Sequence, residues 1–146
     1  MVEFVATNPP VGLGDPVYEK LEANLAKAML SIPASKSFEI GEGVNSALMT
    51  GSEHNDEFIA DDLQPMSSNH AGGTLGGIST GMNVIARVAF KPTSSIKKNQ
   101  NTIDINGQPQ QFILPEGSRH DPCVAIRAVP VVKAMAVLVM ADLILM

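Results

Sequence analysis

The stretch "GSRHDPCVAIRAVP" (Gly117–Pro130) sets Arg119, His120, Asp121, the only cysteine, Cys123, and Arg127 within fourteen positions. Arg119 and Arg127 carry permanent planar cations suited to bidentate pairing with phosphate. Asp121, held by the following Pro122, has the chemistry of a base. His120 and Cys123 have H-x-x-C spacing, but a structural zinc site takes four ligands. The other two histidines, His54 and His70, stand isolated along the chain. Spacing alone leaves a metal site, an acid–base station and a polar loop before a helix open, with the metal site ranked last. Cys123 precedes an apolar run and is expected to be a small core residue.

Two further stretches have chemical potential. "SSNHAGGTLGGISTG" (Ser67–Gly81) carries five glycines, which allow close backbone approach to a ligand and positive φ. Runs of exposed N–H groups make anion sites. No Gly-Lys-Ser/Thr follows, and the spacing is not that of a dinucleotide fingerprint. "KPTSS" (Lys91–Ser95) places a cation, a φ-fixing proline and three hydroxyls directly after a strand-like run. A phosphate or a flavin's polar edge would suit it. A solvated strand exit is the plainer reading.

The elements that must position these residues follow from pattern. "VEFVAT" (Val2–Thr7) and "NVIARVAF" (Asn83–Phe90) read as strands, "SFEI" as a short strand and "EFIADD" as a weak one. Asp15 suits a helix N-cap with Pro16 at the first helical position. Val17, Leu21, Leu25, Ala28 and Met29 then share one face of an amphipathic helix that ends near Pro33. "VNSALMTG" fits a helical turn or a strand equally. Asn106-Gly107 between strand-like arms predicts a hairpin. Lys97–Ser118 has few apolar anchors, is the most loop-like region, and is expected to be mobile. Strands and two long helices without strict alternation predict an α+β layer fold.

The chain has 146 residues, enough for one domain with a core. Its net charge of −5 disfavours a nucleic-acid partner. A single cysteine allows no internal disulfide and points to a reducing, cytoplasmic setting. The start lacks the basic and apolar regions of a signal peptide. Lys133 and Asp142 interrupt the run "VPVVKAMAVLVMADLILM", with Pro130 near its head, so a buried core helix is expected rather than a membrane span.

The motifs "GLGDPVYEKLEANLAKAML", "EIGEG" with "GSEHND", "SNHAGG" with "GGISTG", "KPTSS" and "RHDPCVAIRAVP" occur here in that order. In type and order they resemble chorismate synthase, over nearly the whole chain. The resemblance is to the C-terminal portion of the family's chain, which places residues 1–146 in that part of a catalytic domain. It implies a chorismate-synthase-like β-α-β sandwich fragment, with helices packed against antiparallel sheet.

The resemblance also implies an activity: anti-1,4-elimination of phosphate from 5-enolpyruvylshikimate-3-phosphate to give chorismate, with reduced FMN and no net redox change. Asp121 matches the proposed catalytic aspartate. Arg119, the strand exit Lys91, Pro92, Thr93, Ser94 and Ser95, the loop residue Gly76, and the pair Pro33 and Ala34 match FMN contacts. Some members have asparagine where Pro33 stands, and proline offers no N–H there. The family's histidine and arginine-rich signatures are not in this chain, which implies an inactive half-site. The alternative is a stable non-catalytic core that self-associates. The family's homotetramers make a homo-oligomer the expected assembly, with no nucleic-acid or membrane partner.

Overall fold

Val84, Ala86 and Val88 alternate along one strand and are all fully buried, which is the period-two signature of a strand with one face on a core. The computed structural model describes residues 1–60 and 65–146. In it, β1 (Val2–Ala6), β2 (Ser35–Ile40) and β5 (Val84–Phe90) form an antiparallel sheet of order β1-β5-β2. Glu3 lies opposite Arg87 in the register, and the Arg87 Nε–H donates to Glu3 Oε2 at 2.8 Å on the outer face. On the inner face lie α1 (Leu21–Leu30) and α3 (Val124–Leu145). Leu21, Leu25 and Met29 of α1 meet Val132 and Ala136 of α3 and the β5 valines in one apolar cluster. The architecture is a mixed α and β fold in which helices pack on antiparallel sheet.

Between β2 and β5 the chain forms a 3-10 helix (Gly43–Leu48), the short α2 (Gly51–His54), and the hairpin of β3 (Thr74–Leu75) and β4 (Ile78–Ser79). "VNSALMTG" therefore resolves as helical turns. Thr50 caps α2: its N–H donates to Glu53 Oε2 at 2.7 Å, and its hydroxyl donates to the same oxygen at 2.9 Å. The expected weak strand "EFIADD" reduces, in its described part, to one bridge between Phe58 and Met66. Its last residues fall within 61–64, outside the described residues.

Three expectations change. The first helix does not start at Asp15. Val17 takes φ 94°, incompatible with helix, and the Asp15 N–H closes a turn onto the Glu19 carbonyl at 2.8 Å. Regular helix begins six residues later, at Leu21. Pro130 does not head α3 but lies inside it, in a helix that starts at Val124. Its missing N–H leaves the carbonyl one turn earlier without its usual partner.

The third concerns the reading of α3 as a buried core helix, which holds for one face only. Ala128, Val132 and Ala136 are buried, while Ile126, Val129, Val137 and Leu138 are exposed. The helix is long and apolar enough to cross a membrane by length and composition. One such helix is weak evidence, and its inner face is already packed on α1 and the sheet.

The predicted hairpin is present as β6 (Gln100–Ile103) and β7 (Pro109–Phe112). Asp104 Oδ1 accepts from the N–H groups of Asn106 and Gln108 at 2.8 and 2.9 Å, which orders the Asn106-Gly107 turn. Both strands are almost wholly exposed.

Candidate functional site

The end of α1 and the end of β5 meet. After Leu30 the chain turns through Pro33 and Ala34, with Ala34 at φ 68°. The Ser35 hydroxyl donates to the Ile32 carbonyl at 2.7 Å and fixes that turn. The Ala34 carbonyl then accepts the Lys91 N–H at 2.9 Å. Two motifs 57 positions apart are thus joined by one backbone bond. Beyond it, Lys91, Pro92 and Ser94 are exposed, and Thr93 and Ser95 half-buried. The Ser95 N–H donates to Thr93 Oγ1 at 3.3 Å, and Gln100 Nε2 donates to the Ser94 carbonyl at 3.2 Å. The result is an ordered exit carrying an ammonium group and hydroxyls.

Gly76 occupies the tip of the β3–β4 hairpin at φ 63°, with open space where a Cβ would stand. This hairpin sits at the other end of α1, because the Leu21 N–H donates to the Gly77 carbonyl at 2.8 Å. A ten-residue helix is about 15 Å long. Gly76 and the Ala34–Lys91 junction therefore flank α1 and are not neighbours.

Arg119 and His120 are exposed and Asp121 half-buried, just before α3. Asp121 Oδ2 pairs with Arg127 Nε at 2.5 Å, one turn into the helix. Arg127, considered above for phosphate, thus faces the aspartate. Cys123 is exposed at the helix N-cap, not a core residue as expected, because the chain there is still extended and outside the packed layer. Lys97, Lys98 and Asn99 line a cavity of about 220 Å³ together with residues 113–117. That packing at the hairpin base brings the lead-out from Lys91–Ser95 beside the lead-in to Arg119.

The two histidines that are isolated in sequence are brought together. The His54 and His70 rings lie 5.9 Å apart. Ser46 Oγ is 3.0 Å from His54 Nε2, and Glu42 Oε1 is 3.2 Å from His70 Nδ1. Asp56 accepts from the Ser68 hydroxyl at 2.7 Å, the His70 N–H at 2.8 Å and the Ala71 N–H at 2.9 Å. Burial pushes its carboxyl up, but these hydrogen bonds and the His70 charge outweigh it and hold it below the usual aspartate value. Gly41 and Gly72 make the junction possible. A Cβ on Gly41 would stand 2.0 Å from the His70 carbonyl. These histidines and the aspartate lie in "GSEHND" and "SNHAGG", and only tertiary structure links the two segments.

The chain is similar to known proteins along its whole length. A family model described as chorismate synthase matches residues 1–145. A chorismate synthase of Protochlamydia amoebophila is 64% identical over 147 residues, covering 100% of this chain and 40% of that protein. One from Rippkaea orientalis is 54% identical over 144 residues, covering 97% and 39%. A crystal structure of chorismate synthase superposes with a TM-score of 0.75 at 31% identity, over 98% of this chain and 36% of that one. The chain thus spans about 40% of the length of the curated relatives it matches. The expected placement in the C-terminal portion is corrected: the matched segment is assigned to an N-terminal stretch of about 40% of the family sequence. The residue correspondences rest on motif order within the chain and do not depend on that placement.

Proposed function

The chain belongs to the chorismate synthase family, and from that premise we propose that it supplies the flavin-side half of an active site that eliminates phosphate from 5-enolpyruvylshikimate-3-phosphate. The observation that carries this reading is the hydrogen bond from Lys91 to Ala34, which joins both ends of the flavin-contact motif at one exposed strand exit. The residues fit FMN. Lys91, Ser94, Ser95 and Arg119 are cation and hydroxyl donors of the kind a phosphate takes, while Gly76, at the other end of α1, lies away from that junction. Reduced FMN, when bound, supplies electron density while phosphate leaves, with no net redox change.

The chain's own residues do the rest. Lys91 and the hydroxyls of Ser94 and Ser95 bind anionic oxygen. Arg119 adds a fixed planar cation next to Asp121. Asp121 takes the proton lost from the substrate ring at its carboxylate, and Arg127 holds that carboxylate in place until it does so. These groups are mostly exposed here. A closed, dry pocket of the kind such an elimination needs therefore draws on further residues of the longer family chain. On this reading the enzyme is a cytoplasmic homo-oligomer.

The test is a titration of FMN, oxidised and reduced, into the chain, with turnover measured in parallel. Binding weaker than micromolar and no chorismate formation are expected. Robust turnover by this chain alone contradicts the half-site reading. A second reading, a self-associating core without catalysis, is favoured by one observation: the outer face of α3 exposes Ile126, Val129, Val137 and Leu138.

A further inference from the structure

The tip of the β6–β7 hairpin brings together a side-chain amide and an unhindered backbone nitrogen. Of the chain's asparagines, only Asn106 is followed by glycine. Both residues are exposed, and Ile105 beside them is 98% exposed. The Asn106 side-chain amide has no hydrogen-bond partner among the described residues. Gly107 stands at φ 79°, and nothing lies within 4 Å of where its Cβ would be. With no side chain of its own, Gly107 does not crowd its backbone nitrogen.

One residue holds the backbone around this pair. Asp104 Oδ1 accepts the N–H groups of Asn106 and Gln108, on either side of Gly107, at 2.8 and 2.9 Å. The Gly107 N–H donates to the Asp104 carbonyl at 3.0 Å, and the Asp104 N–H donates to the Gln108 carbonyl at 2.8 Å. The adjoining strands are almost wholly exposed, so little packing beyond the turn keeps it closed.

We propose that Asn106 is a site of spontaneous deamidation and that Asp104 is its brake. The Gly107 nitrogen bonds to Asn106 Cγ, the Cγ–Nδ2 bond breaks, and ammonia leaves with the proton of the Gly107 N–H. The cyclic imide then takes up one solvent water and opens to aspartate or isoaspartate, with no change of oxidation state. Attack needs the Gly107 nitrogen released from its turn bond and deprotonated. The hydrogen bonds to Asp104 oppose the release, and the Asp104 negative charge opposes the deprotonation. Either product adds a negative charge to a chain of net charge −5. Isoaspartate also lengthens the main chain at the turn, which spoils the Asp104–Gln108 closure and the neighbouring Ile103–Pro109 register. Gln100 of the same hairpin donates to the Ser94 carbonyl, so the change acts on an element that braces the Lys91–Ser95 exit.

The experiment ages the purified chain in mildly alkaline buffer beside the free peptide Ac-Asp-Ile-Asn-Gly-Gln-NH2. Both are mapped by mass spectrometry with aspartate and isoaspartate resolved. Conversion is expected at Asn106 ahead of every other asparagine, faster as pH rises, and about fivefold slower than in the peptide. Asp104→Ala removes the acceptor and the charge together and should speed conversion about fivefold. Asp104→Asn keeps a side-chain oxygen for the turn, so the hairpin survives in that variant, and its rate should fall between the other two. Three results overturn the proposal: no product at Asn106 when the peptide has fully converted, a parent rate equal to that of the peptide, or both Asp104 variants ageing no faster than the parent.

Discussion

Asp121 and Arg127 form a partly exposed ion pair whose contribution to stability is small, about 0–1 kcal/mol. Its consequence is chemical. The Arg127 guanidinium fixes where the Asp121 carboxylate points. Arg127→Ala, in a full-length family member carrying this segment, frees the Asp121 carboxylate to turn away and should lower kcat about tenfold with KM little changed; an unchanged kcat removes Arg127 from the site. Asp56 has a different part, since its carboxylate ties Ser68, His70 and Ala71 together. Asp56→Ala strands two backbone N–H groups, and a loss of about 1–3 kcal/mol is expected in urea unfolding. Because the folded-state pKa of Asp56 is lowered, its contribution is complete above the unfolded aspartate pKa and is lost as pH falls through the folded value. The variant should therefore lose less stability than the parent on acidification. Equal acid slopes for the two would contradict this account.

At the scale of elements, the strands were legible because β-branched and aromatic residues alternate on a two-residue period, as in Val84, Ala86 and Val88. The turn at Asn106-Gly107 was legible from its dipeptide. The helix start was not. Asp15-Pro16 is a good local cap signal, yet the Leu21 N–H goes to the Gly77 carbonyl and Val17 adopts positive φ. Tertiary contact overrode local preference there. The Ala34–Lys91 half of the candidate site was legible as two motifs, but their junction was not. The His54–His70 pairing was invisible because nothing in either segment codes for the other. Leu25 is fully buried in the cluster that α1 shares with α3 and the sheet, and Leu25→Ala should cost about 2–5 kcal/mol in thermal or urea unfolding. The β6–β7 hairpin, with its exposed strands, should exchange its amides much faster than β5 in hydrogen-exchange measurements. Protection equal to that of β5 would refute the expected mobility of Lys97–Ser118.

At the scale of the whole molecule, α3 buries Ala128, Val132 and Ala136 against the core while Ile126, Val129, Val137 and Leu138 stand exposed. A helix of that kind is normally enclosed on all sides. In the family's longer chain, the outer face fits packing against further polypeptide. In this chain alone, it should drive association visible by size exclusion with light scattering. Val137→Lys should shift that distribution toward monomer without unfolding the core, since Val137 is exposed. The proposed chemistry of this segment turns on Asp121. The deciding measurement is turnover of 5-enolpyruvylshikimate-3-phosphate, with reduced FMN, by a full-length family member carrying this segment, compared with its Asp121→Ala variant. Loss of a general base predicts a fall of about 100-fold or more in kcat with the fold intact. Near-normal turnover in the variant would contradict the claim that this segment carries the proton-accepting side of the site.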